Sequence, residues 1–185
     1  MEVKAPDVTL LLATTDEYGV LAPLRQRCRL TLRFSFYSGV ELAEICQKRV
    51  VALGWHVNDH RIFEEIARRS RGTPRIALNL LQGAHRITRS RNSLILTLED
   101  LEDACTLDGI DIFGLGPLDR AYLRAICREP TNLNIIASRL GTHPRTVSQV
   151  IEPYLFRIGW VCKDSASRRY MSEMGYTLFA DVQNV

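Results

Sequence analysis

Apolar positions change their period along the chain. Residues 7–13, Asp-Val-Thr-Leu-Leu-Leu-Ala, are a short unbroken apolar run of the kind a buried parallel strand uses. Leu30, Leu32, Phe34 and Phe36 alternate within 29–37 and predict a second strand. Two strands do not make a stable sheet by themselves, so this N-terminal piece reads as the edge of something larger. From residue 40 the spacing becomes helical. Leu42, Ile45, Cys46, Val50 and Leu53 share one face, and Ile62, Phe63, Ile66 and Ala67 form the next, entered at Asp59 as N-cap. Thr73 followed by Pro74 predicts a helix start, with Ile76, Leu80, Ala84 and Ile87 along the stripe. Thr97 with Asp100 resembles a capping box that opens a helix over 98–107.

Residues 108–117 hold three glycines and a proline and predict a domain boundary. Beyond it, Leu118, Tyr122, Leu123 and Ile126 suggest one helix. Leu133, Ile136, Ala137 and Leu140 suggest a second, ended by Gly141. Pro144 opens a third, with Val147, Val150, Ile151, Tyr154, Leu155 and Ile158 on one stripe and Gly159 as its stop. Residues 160–163 and 168–172 can pair as a hairpin. Three helices and a hairpin are the pattern of a winged helix.

Charge adds a second layer. Eight arginines lie in 61–91 against two acids, seven acids and no base in 97–119, and nine bases against three acids in 120–169. Such blocks suggest structural units with different faces. Across all 185 residues, 21 of the 24 basic side chains are arginine, which GC-rich coding alone would also produce. None of the three lysines (Lys4, Lys48, Lys163) follows a glycine, so these residues contain no P-loop. Five scattered cysteines without a CxxC argue against a disulfide framework or a zinc ribbon and fit a reducing cytoplasm. No signal peptide is legible and no run of about 18 apolar residues suggests a membrane span. The four histidines lack metal-ligand spacing, and no nucleophile elbow supports a Ser–His–Asp triad.

Three segments carry candidate chemistry. A polar residue at the tip of a core strand, as at Thr14-Thr15, can sense the terminal phosphate in a nucleotide motor; Asp16 and Glu17 lie too far past the apolar run to be Walker B acids. Arg25 and Arg27 follow in Pro23-Leu24-Arg25-Gln26-Arg27, either as solvated surface or as an arginine finger acting on a neighbouring subunit. Arg75 stands in the first turn of a helix, where a cation opposes the macrodipole and suggests an outside anion.

In order along the chain, LLATT, PLRQR, FSFYSGVELAEI, IARRSRGTPRIALNLL, TLEDLEDA, LDR and EPYLFRIGW together resemble the RuvB family of Holliday-junction branch-migration motors, members of the AAA+ ATPases. The resemblance implies a mainly α chain: a remnant of AAA+ α/β core strands in 1–37, a helical lid domain in 38–112 and a winged-helix DNA-binding domain in 113–185. It implies that Thr15 is the sensor-1 threonine, that Arg27 is the trans-acting finger with Arg25 beside it, and that Tyr37 and Pro74 lie at the adenine pocket. Arg75 matches the sensor-2 arginine of the lid. Arg145, Lys163, Arg168 and Arg169, with Arg139 and Arg157, would track DNA phosphates. The intact family uses ATP with magnesium, a RuvA-like partner and a hexameric ring on four-way junctions; this stretch corresponds to its C-terminal portion, so the chain alone is expected to hold no nucleotide tightly and to hydrolyse none. The family's TPRGR-like wing is replaced by Lys163-Asp164-Ser165-Ala166-Ser167-Arg168-Arg169, which leaves the register of the wing charges open. Two other readings remain at this point: a stand-alone winged-helix DNA-binding or regulatory protein without ATPase activity, and a subunit that lends its finger and lid to a full-length paralogue.

Overall fold

The computed structural model describes residues 9–183, with the side chains of 180–183 left aside. It falls into two compact units, one ending at Ser35 and one beginning at Phe36.

In the first unit the regular element among the described residues is α1 (Ala22–Arg27), with Pro23 in its first turn. Neither predicted strand forms over 9–13 or 29–37, and residues 7 and 8 lie outside the described part. Leu11 is 89% and Phe34 85% exposed. An apolar run becomes a strand only when another strand takes its backbone N–H and C=O groups. Among the described residues, the remnant core strands expected from the resemblance are therefore present as sequence and absent as structure.

The second unit begins with four helices. Ser38 and Glu41 form a reciprocal capping box at the start of α2 (Gly39–Ala52). α3 (Arg61–Arg69) starts where Asp59 Oδ1 accepts the Arg61 N–H at 2.9 Å. α4 (Pro74–Ser90) has Thr73 as N-cap and Pro74 at its first position, and α5 (Leu98–Asp108) opens on the Thr97–Asp100 capping box and ends at left-handed Gly109. Leu42, Cys46, Ile62, Ile66, Leu81, Leu96 and Leu101 fill one core between them. β1 (His56–Val57) and β2 (Ile95–Leu96) make a two-residue parallel pair that no alternation in the sequence announces. Burial pushes the thiols of Cys46 and Cys105 up to about 11, so both are inert core residues.

Asp100 is the polar centre of this bundle. It is buried, and its carboxylate accepts from the Thr97 N–H and Oγ1, from Thr88 Oγ1 at 2.9 Å and from Arg91 Nη1 at 2.8 Å. Burial raises its pKa, but the hydrogen bonds from Thr97, Thr88 and Arg91 outweigh that and hold it below the usual 3.8. A depressed carboxylate stabilises the fold above its unfolded pKa and loses that contribution as pH falls toward its folded pKa. Asp100→Asn is therefore expected to lower stability at pH 7 and to flatten the dependence of the unfolding midpoint on pH below about 4. An unchanged acid limb in urea titrations of the variant would contradict this role.

The second half has its own core, centred on Leu115, Tyr122, Leu123, Ile126, Ile136, Leu155 and Trp160. Its helices are α6 (Pro117–Ile126), α7 (Leu133–Arg139), α8 (Pro144–Thr146) and α9 (Glu152–Arg157), the last two joined by a π-helical turn over Val147–Ile151. β3 (Val161–Lys163) and β4 (Arg169–Met171) pair antiparallel, and Thr131 adds a bridge to Arg169. α10 (Glu173–Gln183) follows.

The predicted third helix differs in one respect: Val150 is 66% exposed while Val147, Ile151 and Leu155 are buried. Pro153 lies in the interior of that run and has no N–H to give the Gln149 carbonyl, and its ring would clash there. The backbone widens by one residue and the apolar stripe shifts phase past Val150. No described helix is long and apolar enough to cross a membrane.

Candidate functional site

The turn that leads into α4 gathers three of the sequence-predicted residues. α3 ends at Ser70, and Arg71 and Gly72 then take left-handed backbone, with φ of 52° and 71°. Gly72 offers its carbonyl to the Tyr37 N–H at 3.0 Å, which fixes Tyr37 beside Thr73, Pro74 and Arg75. Tyr37 is 40% exposed, and Arg75 is exposed with no ion pair or hydrogen bond among the described residues. The first turn of α4 contains no acid, and the Thr73 side chain makes no cap hydrogen bond. A 17-residue helix thus presents uncapped N–H groups and carries an unpaired arginine in its first turn, with the Tyr37 backbone bonded to the turn just before it.

The same turn is bolted to the second half of the unit. Arg71 Nε donates to the Gly114 carbonyl at 2.7 Å, and its fork pairs with Asp119, which also caps α6 through the Gly116 N–H at 2.8 Å. The Arg71 guanidinium lies 4.8 Å from the Tyr154 ring centre, and Tyr154 donates its hydroxyl to the Phe113 carbonyl at 2.9 Å. Arg157 donates to the Arg71 carbonyl and stacks 3.4 Å over the Phe36 ring. Arg69, 2% exposed, pairs with Glu65 and Glu102. Sequence reading placed Arg157 among phosphate contacts and left Arg69 and Arg71 without a role. The i, i+4 pair Glu65–Arg69 was a visible signal, whereas the Arg71–Asp119 partnership spans 48 residues and has none.

The basic residues of the wing hairpin (β3 and β4) and of the third helix of this domain (α8 to α9) separate sharply. Arg145 is exposed and without a partner among the described residues, beside His143, whose Nδ1 accepts the Arg145 N–H. Lys163 sits over the Phe156 ring at 4.8 Å and 3.9 Å from Glu152. Arg168 is half-exposed and bound to Asp164 at 2.7 Å. Arg169 is 8% exposed and locked on Glu152, with Nε to Oε1 at 2.7 Å. It has no face left for a phosphate, because the carboxylate it neutralises is itself buried. Arg139 donates to the Ala125 carbonyl at 2.9 Å.

In the first unit, Thr15 is exposed, and the Thr14 hydroxyl accepts the Asp16 N–H at 3.0 Å. Arg25 reaches the Glu17 carbonyl at 3.3 Å and lies 5.1 Å from the Tyr18 ring centre. Arg27, at the end of α1, is exposed and unpaired among the described residues. The groups around Tyr37 and those around Arg27 belong to different units. Among the described residues no cluster of three or more His, Cys, Asp or Glu side chains is arranged for a metal ion.

Comparison with known proteins places this architecture. The RuvB AAA lid domain family matches residues 37–111, and the RuvB C-terminal winged helix domain family matches residues 112–180. The Holliday junction branch migration complex subunit RuvB of Fervidobacterium nodosum is 34% identical over 91% of this chain and 49% of its own length. That of Acholeplasma laidlawii is 33% identical over 96% of this chain and 53% of its own. The chain thus spans about half the length of the curated relatives it matches. Among solved structures, a point mutant of Thermotoga maritima RuvB superposes with a TM-score of 0.77 at 30% identity, over 90% of this chain and 56% of that one. The Thermotoga maritima RuvB Holliday junction branch migration motor gives 0.75 at 30% identity. The chain belongs to the RuvB family, of which residues 37–180 form the AAA lid domain followed directly by the C-terminal winged helix domain.

Proposed function

We propose that this chain supplies the lid and DNA-handling part of a branch-migration motor that works on Holliday-junction DNA. The observation that carries the reading is the uninterrupted run of two RuvB-specific domains joined by a turn that holds Tyr37 and Arg75 on one side and the winged helix on the other. The division proposed is a core-derived segment at 1–37, a lid at 38–112 and a winged helix at 113–185.

ATP fits the lid side of this arrangement. The uncapped first turn of α4 and the free Arg75 suit a terminal phosphate, and the half-exposed ring of Tyr37 with Pro74 suits a base. Nucleotide would supply hydrolysis energy, and Arg75 would answer the charge on its terminal phosphate. Arg27, with Arg25 beside it and Thr15 upstream, would act toward a neighbouring subunit in a hexamer. Magnesium would be held by groups other than these residues. A RuvA-like partner belongs to the same proposal.

In the winged helix, Arg145 and the half-exposed Arg168 and Lys163 are the proposed DNA contacts, and Arg169 supports the wing from within. The chain is expected to bind duplex and four-way DNA without sequence preference, with affinity falling steeply between 50 and 200 mM salt, since each phosphate contact contributes about 0.9 to the log–log slope. Fluorescence anisotropy with labelled duplexes of different sequence checks this. A flat salt profile would remove phosphate contact, and strong sequence preference would favour a stand-alone regulator.

A further inference from the structure

Nine basic side chains lie in 113–183, and the fold gives most of them an internal hydrogen-bond or ion-pair partner. Arg120 donates to the Leu115 carbonyl, Arg139 to the Ala125 carbonyl and Arg157 to the Arg71 carbonyl. Arg168 and Arg169 are held by Asp164 and Glu152, and Lys163 is drawn toward Glu152. Arg124, Arg128 and Arg145 remain, with no ion pair or side-chain hydrogen bond among the described residues. Two of these three, Arg124 and Arg128, line one groove of about 720 Å³ beside the end of α6, with Arg139 on its wall. Two of the three arginines without an internal partner therefore lie in this groove and one, Arg145, lies at the start of the third helix (α8 to α9), whose other exposed positions include Gln149, Val150 and Pro153.

We propose that this groove is a second phosphodiester-binding site, which engages a DNA backbone apart from the third helix (α8 to α9) and the wing. The inference rests on the reading of this domain as DNA-binding and adds a surface to it. The groove's other walls are Ala121, Ala125 and Cys127, which are small and offer no side-chain acceptor oxygen to compete for the guanidinium forks. Its one acid, Glu129, lies 3.9 Å from Arg139 and leaves Arg124 and Arg128 unmatched. Free guanidiniums pair bidentately with phosphate oxygens. An acidic protein partner is the less favoured occupant, because protein interfaces draw their energy from aromatic or large apolar anchors seated in pockets, and no side chain of that kind lines this groove. Antiparallel pairing of Thr131 with Arg169 sends the chain from Thr131 back to Arg128 away from the wing tip at 164–167. A backbone in the groove is then a different stretch of strand from one under the wing, as a branched or bent DNA provides.

The experiment titrates the whole chain against labelled duplex and four-way DNA at several salt concentrations. Arg124→Ser/Arg128→Ser is expected to weaken four-way DNA binding about tenfold at moderate salt and to reduce the log–log salt slope by about 2. Arg124→Lys/Arg128→Lys should recover most of the slope, since it keeps the charge. Circular dichroism of both variants establishes that they fold. The proposal is overturned if Arg124→Ser/Arg128→Ser binds like the parent while Arg145→Ser is weakened, which leaves the DNA-binding reading standing. It is also overturned if the serine variant loses affinity for poly-glutamate but not for DNA, which would make the groove a protein-docking site. A parent chain with no salt-dependent DNA binding would remove the proposal and the DNA-binding reading together.

Discussion

Replacing Glu152 by Ala is expected to destabilise the winged helix by about 3–5 kcal/mol, enough to unfold a marginal domain. Glu152 is 1% exposed, and three groups depend on its carboxylate. Arg169 donates through Nε at 2.7 Å and through a second nitrogen at 3.3 Å, Tyr122 donates its hydroxyl at 3.2 Å, and Lys163 stands 3.9 Å away. Truncation leaves a buried guanidinium without its counter-charge and a buried phenol without an acceptor, both heavily penalised away from water. Burial, with the Glu152 charge next in weight, pushes the Tyr122 pKa far above its usual value in the parent, so its hydroxyl is a donor that depends on the Glu152 carboxylate. Glu152→Gln keeps the shape and an acceptor and should be milder than Ala, with the charge on Arg169 still unanswered. Urea unfolding followed at Trp160, which is 3% exposed in the same core, reads the effect. A loss below about 1 kcal/mol for Glu152→Ala would mean that the pair is not held as described.

Gly114→Ala is expected to be the most damaging single-methyl change at the junction of lid and winged helix. Gly114 has φ of 75°, a conformation a β-carbon disfavours, and a β-carbon there would stand 2.9 Å from the Arg69 carbonyl carbon and closer still to its oxygen. The obstacle is backbone on both sides, so a rotamer change cannot relieve it. Strain and overpacking together predict a loss of about 2–4 kcal/mol. The Gly114 carbonyl also receives Arg71 Nε, so the displacement takes the clamp with it. Denaturant unfolding, expected as one transition in the parent, should separate into two, because the lid and winged-helix cores are distinct clusters. Arg71→Gly tests the clamp without the clash: glycine suits the φ of 52° at that position, so the turn survives while the links to Gly114, Asp119 and Tyr154 are lost. If Gly114→Ala unfolds as the parent does, the close approach of Gly114 to Arg69 is wrong.

Legibility differed by the range of the interaction involved. Thr97 and Asp100 lie three residues apart, and the capping box between them was readable because both partners are in one turn of chain. The same held for Pro74 at the start of α4, for Gly141 and Gly159 as stops and for the wing hairpin. Val150 was misplaced because the effect of Pro153 on the helix phase acts through a missing backbone donor, which side-chain periodicity does not register. The apolar runs at 9–13 and 29–37 carry strand composition, but strand formation depends on a partner outside the run. In the candidate site, the sequence marked Tyr37, Pro74 and Arg75 one by one, and the Tyr37–Gly72 hydrogen bond joins them.

By itself the sequence determined the succession of helices from α2 to α9, most of the residues that start and stop them, the wing hairpin and the family these strings belong to, and it left α1 and α10 unmarked. Each of those is written in residues close together in the chain, where local geometry leaves few alternatives. Arginines were legible as residues and not as roles. Their side chains are long and their partners distant, so only the tertiary structure decided that Arg71 and Arg157 hold lid and winged helix together and that Arg69 ties α3 to α5. It likewise decided that Arg169 is buried on Glu152, and that Arg75, Arg124, Arg128 and Arg145 remain unpaired among the described residues. A guanidinium forms internal pairs wherever the fold brings a carboxylate or carbonyl within reach, and that proximity is set by packing between elements, which no local pattern encodes.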